Sequence, residues 1–540
     1  MKTILFSIAI LIPVVVYIFS LFKEGKAGSL DTFFLPKNSL NHFEFANSSI
    51  AYNFSISTVV IAMAWGFNAS FISLINPLAW GLGIVLFTFL LSRVLKTVIH
   101  GETIHGYLAR HYNMKSIGYI TALVSLLSFI GMALAELAVG VSILSNVLTS
   151  PTTALLVISI IALAVSSYVH IVGQHAALRT DQIQLAFAYT AIFAVLGSFW
   201  IWVSKTSSVG AVFVIMAVVL LVILYLLSKQ KSHVQGLFQV WIRRILFSGV
   251  ILSFIVLISS GFHGSLPEIK IIPGLFQNTL FVKWDFIAIL VLPFVWQFVD
   301  TNMWQRISSF EKSHDDEKTL KSLKKSFLRF ALESPLTWVY AVCAGMLLRY
   351  TSIGVDGNSI WNLGGVFPGL IYGLGALGIV VAFLFTLASF ATMFSTFDSM
   401  FISALFVINK DVIHEEKESN FVSKKVAWLG YGFTLLILAL LWIQQIKGIN
   451  FAVFLFGAYG VLVTMFPPVL GVLFPKFKAN KYVTFLSITS GMLAGLYVTY
   501  LATSDFSLTN IPPLVAIVVS SIVYLLGTLL FKKDKILGVI

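Results

Sequence analysis

The sequence predicts an all-α polytopic membrane protein of about 15 transmembrane helices. Composition and spacing carry this expectation. Of 540 residues, 58% are hydrophobic and 11% are charged, whereas soluble domains carry roughly 25% charged residues. Apolar runs of about 20 residues, enough to cross a bilayer as a helix, recur from end to end. The alternating ten-residue pattern of a membrane β-barrel does not occur. One cysteine, Cys343, excludes an intrachain disulfide. Short loops leave no room for a separate soluble domain.

The predicted spans fall at 3–22, 48–75, 78–95, 117–146, 151–170, 180–204, 208–227, 245–262, 286–302, 329–348, 369–408, 427–445, 449–474, 483–503 and 512–531. The polar segments between them then alternate sides. One side comprises 23–47, 96–116, 171–179, 228–244, 303–329, 409–426, 475–482 and 532–540, with Arg93 at its border. It collects 29 of the 35 Lys and Arg. The other side holds Lys2, Lys205, Lys270, Lys283, Arg349 and Lys447. Lys and Arg gather in cytoplasmic loops. The chain is therefore expected in the cell membrane (plasma or inner), with its N-terminus outside and its C-terminus in the cytoplasm. The net charge of +13 reads as a topology signal with contact to anionic lipid, and no nucleic-acid partner is expected.

The opening segment, MKTILFSIAILIPVVVYIFSLFKEGKAGS, has the layout of a secretory signal peptide. Its apolar stretch is long, and Lys23 and Lys26 outweigh Lys2, so a retained first helix is expected. The most charged stretch, 303–329, reads as a solvated cytoplasmic linker, and 409–426 is read the same way.

Charges inside lipid cost on the order of 3 kcal/mol at the bilayer centre and therefore face the bundle interior. Here they are Glu136, Asp300, Glu333 and Asp398, with Asp181 near the inner edge. On a helix, Ser389, Thr392, Thr396, Ser399 and Ser403 share one stripe, flanked by Ser395 and Asp398. Such a strip of hard oxygens suits a hard cation such as Na⁺. The competing reading is that the hydroxyls bond to carbonyls one turn earlier or fasten helices together. A broken helix near the midplane usually completes an ion site with backbone carbonyls. The second span, YNFSISTVVIAMAWGFNASF, is the segment expected to unwind. It opens with Asn53, Ser55, Ser57 and Thr58, and Gly66 and Asn68 interrupt it again. An ordinary helix with self-bonded hydroxyls is the alternative.

Five stretches, taken together and in order, resemble the sodium:solute symporter family. They are GETIHGYLARHYNMKSIGYI (101–120), YVHIVGQHAALRTDQIQ (168–184), QFVDTNMWQR (297–306), STFDS with INKDV (395–399, 408–412), and FPPVLGVLFPKF (466–477). The match covers most of the chain from about 48 to 500. The resemblance implies a leucine-transporter-type fold of two inverted five-helix repeats. Residues 1–47 then form an extra helix and linker, 48–204 the first repeat, 205–265 an inserted helix pair, 266–475 the second repeat, and 476–540 extra helices and a tail. The charge-derived topology agrees with that inversion: core helix 1 runs outward and core helix 6 inward.

By position, the resemblance implies a Na⁺ site of Asn53, Ile56 and Thr392 carbonyls with Ser395 and Thr396 hydroxyls. It also implies a second cation site of Asp181, Asp398 and Ser399, although Asp181 at a helix N-terminus could serve the dipole alone. The implied solute wall is Ser57, Val60, Met63, Pro293, Trp296 and Gln297. Positions that sugar carriers of the family fill with polar residues are Val60 and Ala79 here, which points away from a hexose and toward a smaller or more apolar solute. The usual Gly-Gly pair is Gly173–Gln174, so that turn is expected to differ.

Glu136, in MALAELAVG, stands among small residues on the fourth span. Close helix packing is expected there, and the acid reads as a protonated group bonded to a neighbour, a proton-coupling group or a solute contact. Glu333-Ser334-Pro335 reads as a helix kink with a structural role. The ten histidines and one cysteine form no recognisable metal spacing and there is no nucleotide loop, so no enzyme, no organic cofactor and no metal other than Na⁺ are expected. The expected function is Na⁺-coupled uptake of a small-molecule solute across the lipid bilayer, as a monomer or weak homo-oligomer. The alternatives are an H⁺-coupled carrier of the same fold and a non-transporting solute sensor.

Overall fold

The computed structural model describes residues 2–24, 33–34, 40–69, 73–98, 103–148, 150–174, selected positions between 177 and 195, 279–310, 316–350, 367–368, 375–413 and 424–532. The expected spans at 208–227 and 245–262 lie outside the described residues. Among those described, eight helices are long and apolar enough to cross a membrane alone, and one bent pair makes a ninth span. No named strand occurs among them; one isolated bridge joins Leu40 to Phe310.

In chain order the helices are α1 (Lys2–Glu24), α2 (His42–Asn53), α3 (Ile56–Ala69), α4 (Ile75–Val98), α5 (Ile104–His111), α6 (Lys115–Leu148) and α7 (Pro151–Val172). Every described residue from 177 to 195 is helical. There follow α8 (Thr279–Val299), α9 (Thr301–Ser308), α10 (Asp316–Tyr350) and α11 (Gly375–Val407), which runs into a π-helical turn at Ile408–Ile413. The chain continues through α12 (Lys424–Lys447), α13 (Phe451–Val463), α14 (Phe466–Leu473), α15 (Lys481–Ala502) and α16 (Pro512–Lys532).

The helix starts follow local chemistry. Ser150 caps α7 ahead of Pro151, Asn450 caps α13, and Asn480 caps α15; each side-chain oxygen takes a backbone N–H of the first turn. Gly173 ends α7 at φ 75°, a conformation that a side chain would strain.

Two spans are broken. α2 and α3 meet at Phe54–Ser55 with a 60° bend, within the segment whose hydroxyls mark it for unwinding. Gly66, the second suspected interruption, lies inside α3 instead. A Cβ there would overlap the carbonyl oxygen of Val342, and a Cβ on Gly345 would overlap that of Met63. The reciprocal pair lets α3 and α10 pack backbone against backbone.

The second break, between α8 and α9 at Asp300, was not expected. Nor was the burial of Trp304, Gln305 and Arg306, which the sequence reading put at the start of a solvated linker. They form α9, a buried half-helix. The charged residues after Asp316 open α10, a continuous 35-residue helix.

Candidate functional site

Each broken span ends a half-helix with unpaired backbone N–H groups, and each receives a carboxylate. At α3 the acid comes from another helix. Glu136 of α6 accepts the N–H groups of Ile56 and Ser57, both at 3.1 Å, and the hydroxyls of Ser55 and Ser57. At α9 the acid is local. Asp300 Oδ1 accepts the N–H of Asn302 at 3.0 Å and of Met303 at 3.3 Å. Tyr52 O–H reaches the same oxygen at 3.3 Å, and Trp296 Nε1–H reaches Oδ2 at 3.2 Å. Both carboxylates are buried. Glu136 thus meets the break in α2–α3, a role the sequence did not assign to it. For Asp300 the available sequence signal was an N-cap residue in mid-span, followed by Thr-Asn.

Beside the breaks lies a buried cluster that sequence reasoning saw only in part. Asp181 accepts Ser395 Oγ–H at 2.5 Å and Ser48 Oγ–H at 2.6 Å, and faces the Arg306 guanidinium at 3.6 Å. Arg306 also donates to Ser48 at 3.1 Å, to Asn302 at 3.3 Å and to Ser399 at 3.0 Å, and covers the Tyr52 ring at 4.6 Å. Asp181 and Ser399, two members of the implied second cation site, therefore meet around an arginine. Asp398 is buried on the same helix but is not among the hydrogen-bond partners of Asp181.

One turn further along α11, Ser403 donates to Asn302 and, at 2.6 Å, to Gln305 Oε1. Gln305 Nε2 donates to the Phe34 carbonyl at 3.1 Å and to Gln174 at 3.2 Å. Gln174, the departure from the Gly-Gly pair, thereby ties the end of α7 to α9. Thr103, which caps α5, donates to Asp411 at 2.6 Å, joining the stretches 101–120 and 408–412.

The hydroxyl stripe splits by register. Ser389 and Thr392 bond back to carbonyls of their own helix. Ser395, Ser399 and Ser403, one turn apart, reach other elements. Thr396 Oγ1 is buried and has no hydrogen-bond partner among the described residues.

Thr396 lines a cavity of about 370 Å³ together with Asn53, Ser55 and Thr58. Asn53 closes α2, where the last carbonyls have no intrahelical partner, while its side chain bonds back to Ser49. Of the implied Na⁺ set, Asn53 and Thr396 thus share a cavity, Ser395 turns to Asp181, and Ile56 begins α3 beneath Glu136. A second lobe of about 490 Å³ shares Thr58, Trp80, Trp296, Trp338 and Tyr459 with the first. Pro293 and Trp296 of the implied solute wall line it. Ser57 faces Glu136. Val60 and Met63 are packed in the apolar core. Gln297 is buried, and its Nε2 has no partner among the described residues. Trp65, Trp80, Trp338 and Tyr459 were not singled out in the sequence.

No family model matches this sequence, and no curated protein does. Among solved structures, a Na⁺-coupled sialic acid symporter in a substrate-bound, outward-open state aligns over 97% of both chains. Its TM-score is 0.61 and its sequence identity is 13%. Two half-helices around a central cavity and a full-length match in architecture agree: the chain is an all-α polytopic membrane protein with the leucine-transporter-type fold of that symporter.

Proposed function

We propose that this chain is a Na⁺-coupled symporter of the sodium:solute symporter family, taking up a small organic solute by alternating access. The observation that carries the reading is the shared cavity of Asn53, at the end of one half-helix, and the Thr396 hydroxyl on α11, which has no partner among the described residues. An ion there would be held by a carbonyl from the C-terminal end of α2 and a hydroxyl from α11, the composition expected of a Na⁺ site at a discontinuous helix. Holding α2 and α11 together through the ion makes solute binding depend on Na⁺, provided the ion prefers one conformation.

The fuller Na⁺ set also includes the carbonyls of Ile56 and Thr392 and the hydroxyl of Ser395, which becomes available when it leaves Asp181. Asp181, Asp398 and Ser399 remain the proposed second cation site. Arg306 supplies the positive charge beside Asp181 and Ser399 in the arrangement described. The Arg306 cluster lies on the side expected to be cytoplasmic, and its cross-links hold that side closed in this reading. The aromatic lobe lies toward the other side, as in an outward-facing carrier.

The test is thermal unfolding of the purified protein in NaCl against equal KCl, with wild type beside Thr396→Ala. Binding to the native state alone raises Tm. A Na⁺-selective rise that the variant loses supports the reading. No Na⁺ effect in either protein overturns it and moves attention to the H⁺-coupled or sensor alternatives, tested next through the pH dependence of Glu136→Gln.

A further inference from the structure

The aromatic lobe and the two acid-capped breaks bear on the class of solute. We propose that the cavity binds a small organic cation with a methylated ammonium head. This rests on the transport reading above and deepens it.

The walls are aromatic. Trp80 and Trp65 stack on Trp338 with ring centroids 5.3 and 6.4 Å apart, and Trp296 meets Tyr459 edge-on at 4.8 Å. Phe456 completes the lobe. Indole and phenol faces carry negative potential and attract a cation, and aromatic cages are the common receptor for quaternary ammonium groups. Trp296 is the strongest element here. Its N–H donates to the Asp300 carboxylate, which pushes electron density into the indole and makes its face more negative.

Acidic groups outnumber basic ones around the cavity: Glu136, Asp300 and Asp181 stand near it with one guanidinium, Arg306. Among the described residues, no Lys, Arg or His lines either lobe. The neighbouring guanidinium, Arg306, sits against the ring of Tyr52, with Asp181 as its counter-ion. Two carboxylates back the cavity, Glu136 behind Ser55 and Asp300 behind Tyr52 and Trp296. A methylated ammonium donates no strong hydrogen bond, so it needs this combination of aromatic faces and a negative field without a direct carboxylate partner.

The same features disfavour the competitors. An anionic solute would seek a half-helix N-terminus, but Glu136 and Asp300 already occupy both. A polyol needs many polar partners, and the larger lobe offers the Thr58 and Tyr459 hydroxyls, the Asn76 amide and the indole N–H groups of Trp65 and Trp80 among otherwise apolar walls, with few acceptors for its hydroxyls.

The experiment titrates tetramethylammonium and choline into the purified full-length protein, reading tryptophan fluorescence and Tm. The control is 3,3-dimethylbutan-1-ol, the neutral carbon isostere of choline. Titrations run in NaCl and in KCl, with wild type, Trp296→Phe and Trp296→Leu. The proposal expects saturable binding of both cations, no binding of the isostere at equal concentration, and a hierarchy in which Phe retains part of the affinity. Trp296→Leu is expected to weaken binding about three- to thirtyfold. A single cooperative unfolding transition and a wild-type helical circular-dichroism spectrum show that the variant is folded, whatever the outcome with Na⁺.

Equal binding of the isostere, no saturable binding of either cation, or unchanged affinity in folded Trp296→Leu overturns the proposal. The two readings fail separately. Cation binding that is identical in NaCl and KCl sustains the solute class and sinks Na⁺ coupling. Na⁺ stabilisation without organic-cation binding does the reverse.

Discussion

Glu136 accepts the backbone N–H of Ile56 at 3.1 Å across 80 positions of sequence. A carboxylate on one helix thereby closes the open end of a half-helix on another. Glu136→Gln keeps one acceptor oxygen but turns an NH₂ toward a backbone N–H, which can only donate, and Glu136→Ala leaves the donors bare. Each buried polar group without a partner costs about 1–3 kcal/mol. Thermal unfolding is therefore expected to rank wild type above the Gln variant and the Gln variant above Ala. An Ala variant as stable as wild type removes the capping role.

The pair Arg306–Asp181 is buried, with side chains 3% and 0% exposed. Removing one member of such a pair strands the other charge, at about 3–5 kcal/mol, whereas replacing both is often close to neutral. Arg306→Met and Asp181→Leu alone are expected to lose more stability than the double variant. A double-mutant cycle on chemical or thermal unfolding measures this, and additive losses contradict it.

The reciprocal approach of Gly66 to Val342 and of Gly345 to Met63 leaves no room for a methyl group against either backbone. Gly66→Ala and Gly345→Ala are each expected to lower stability by about 1–3 kcal/mol through overpacking. Gly432, whose added Cβ meets nothing within 4 Å, is the control position, and Gly432→Ala is expected to leave Tm unchanged or raised. Equal Tm in all three variants rules out tight packing between α3 and α10.

His105 lies in α5, the connecting helix between α4 and α6. It is fully buried, and neither ring nitrogen has a hydrogen-bond partner among the described residues. Burial pushes its pKa down to about 3. The unfolded chain titrates near 6.5, so between those values it binds a proton that the folded chain refuses. Stability from this group is whole above about pH 6.5 and is lost progressively as pH falls toward 3, by about 2 kcal/mol at pH 5. Comparing the Tm difference between pH 7.5 and 5 in wild type and His105→Phe isolates the effect, which the variant is expected to lose.

The class of protein, most span positions and the break in the second span were legible because they depend on local patterns. Apolar length marks a helix in lipid, and hydroxyls at Ser55, Ser57 and Thr58 mark where it can open. The break at Asp300 was not legible, because the apolar run continues through it and a mid-span aspartate reads first as a buried charge. Arg306 read as a linker residue, since its partners Asp181 and Ser48 are distant in sequence and only the fold joins them. The stripe on α11 was visible as a stripe. Which hydroxyls turn inward to their own helix, and which cross to other elements, depends on the neighbours each turn meets. The indoles of Trp65, Trp80 and Trp338 are unremarkable one by one; their stacking gives them a shared role.

The two halves of the broken second span share α10 as a neighbour, which α2 meets through Phe45 against Phe327, and differ in their other ties. α3 is interlocked with α10 through glycines, while Ser48 and Tyr52 of α2 are tied to α9 by Arg306 and Asp300. Phe54 and Ser55 join them along the chain. A bend through the φ and ψ of those two residues would have to slide α2 along α10 while α3 stays interlocked with it, and Glu136 fastens the joint.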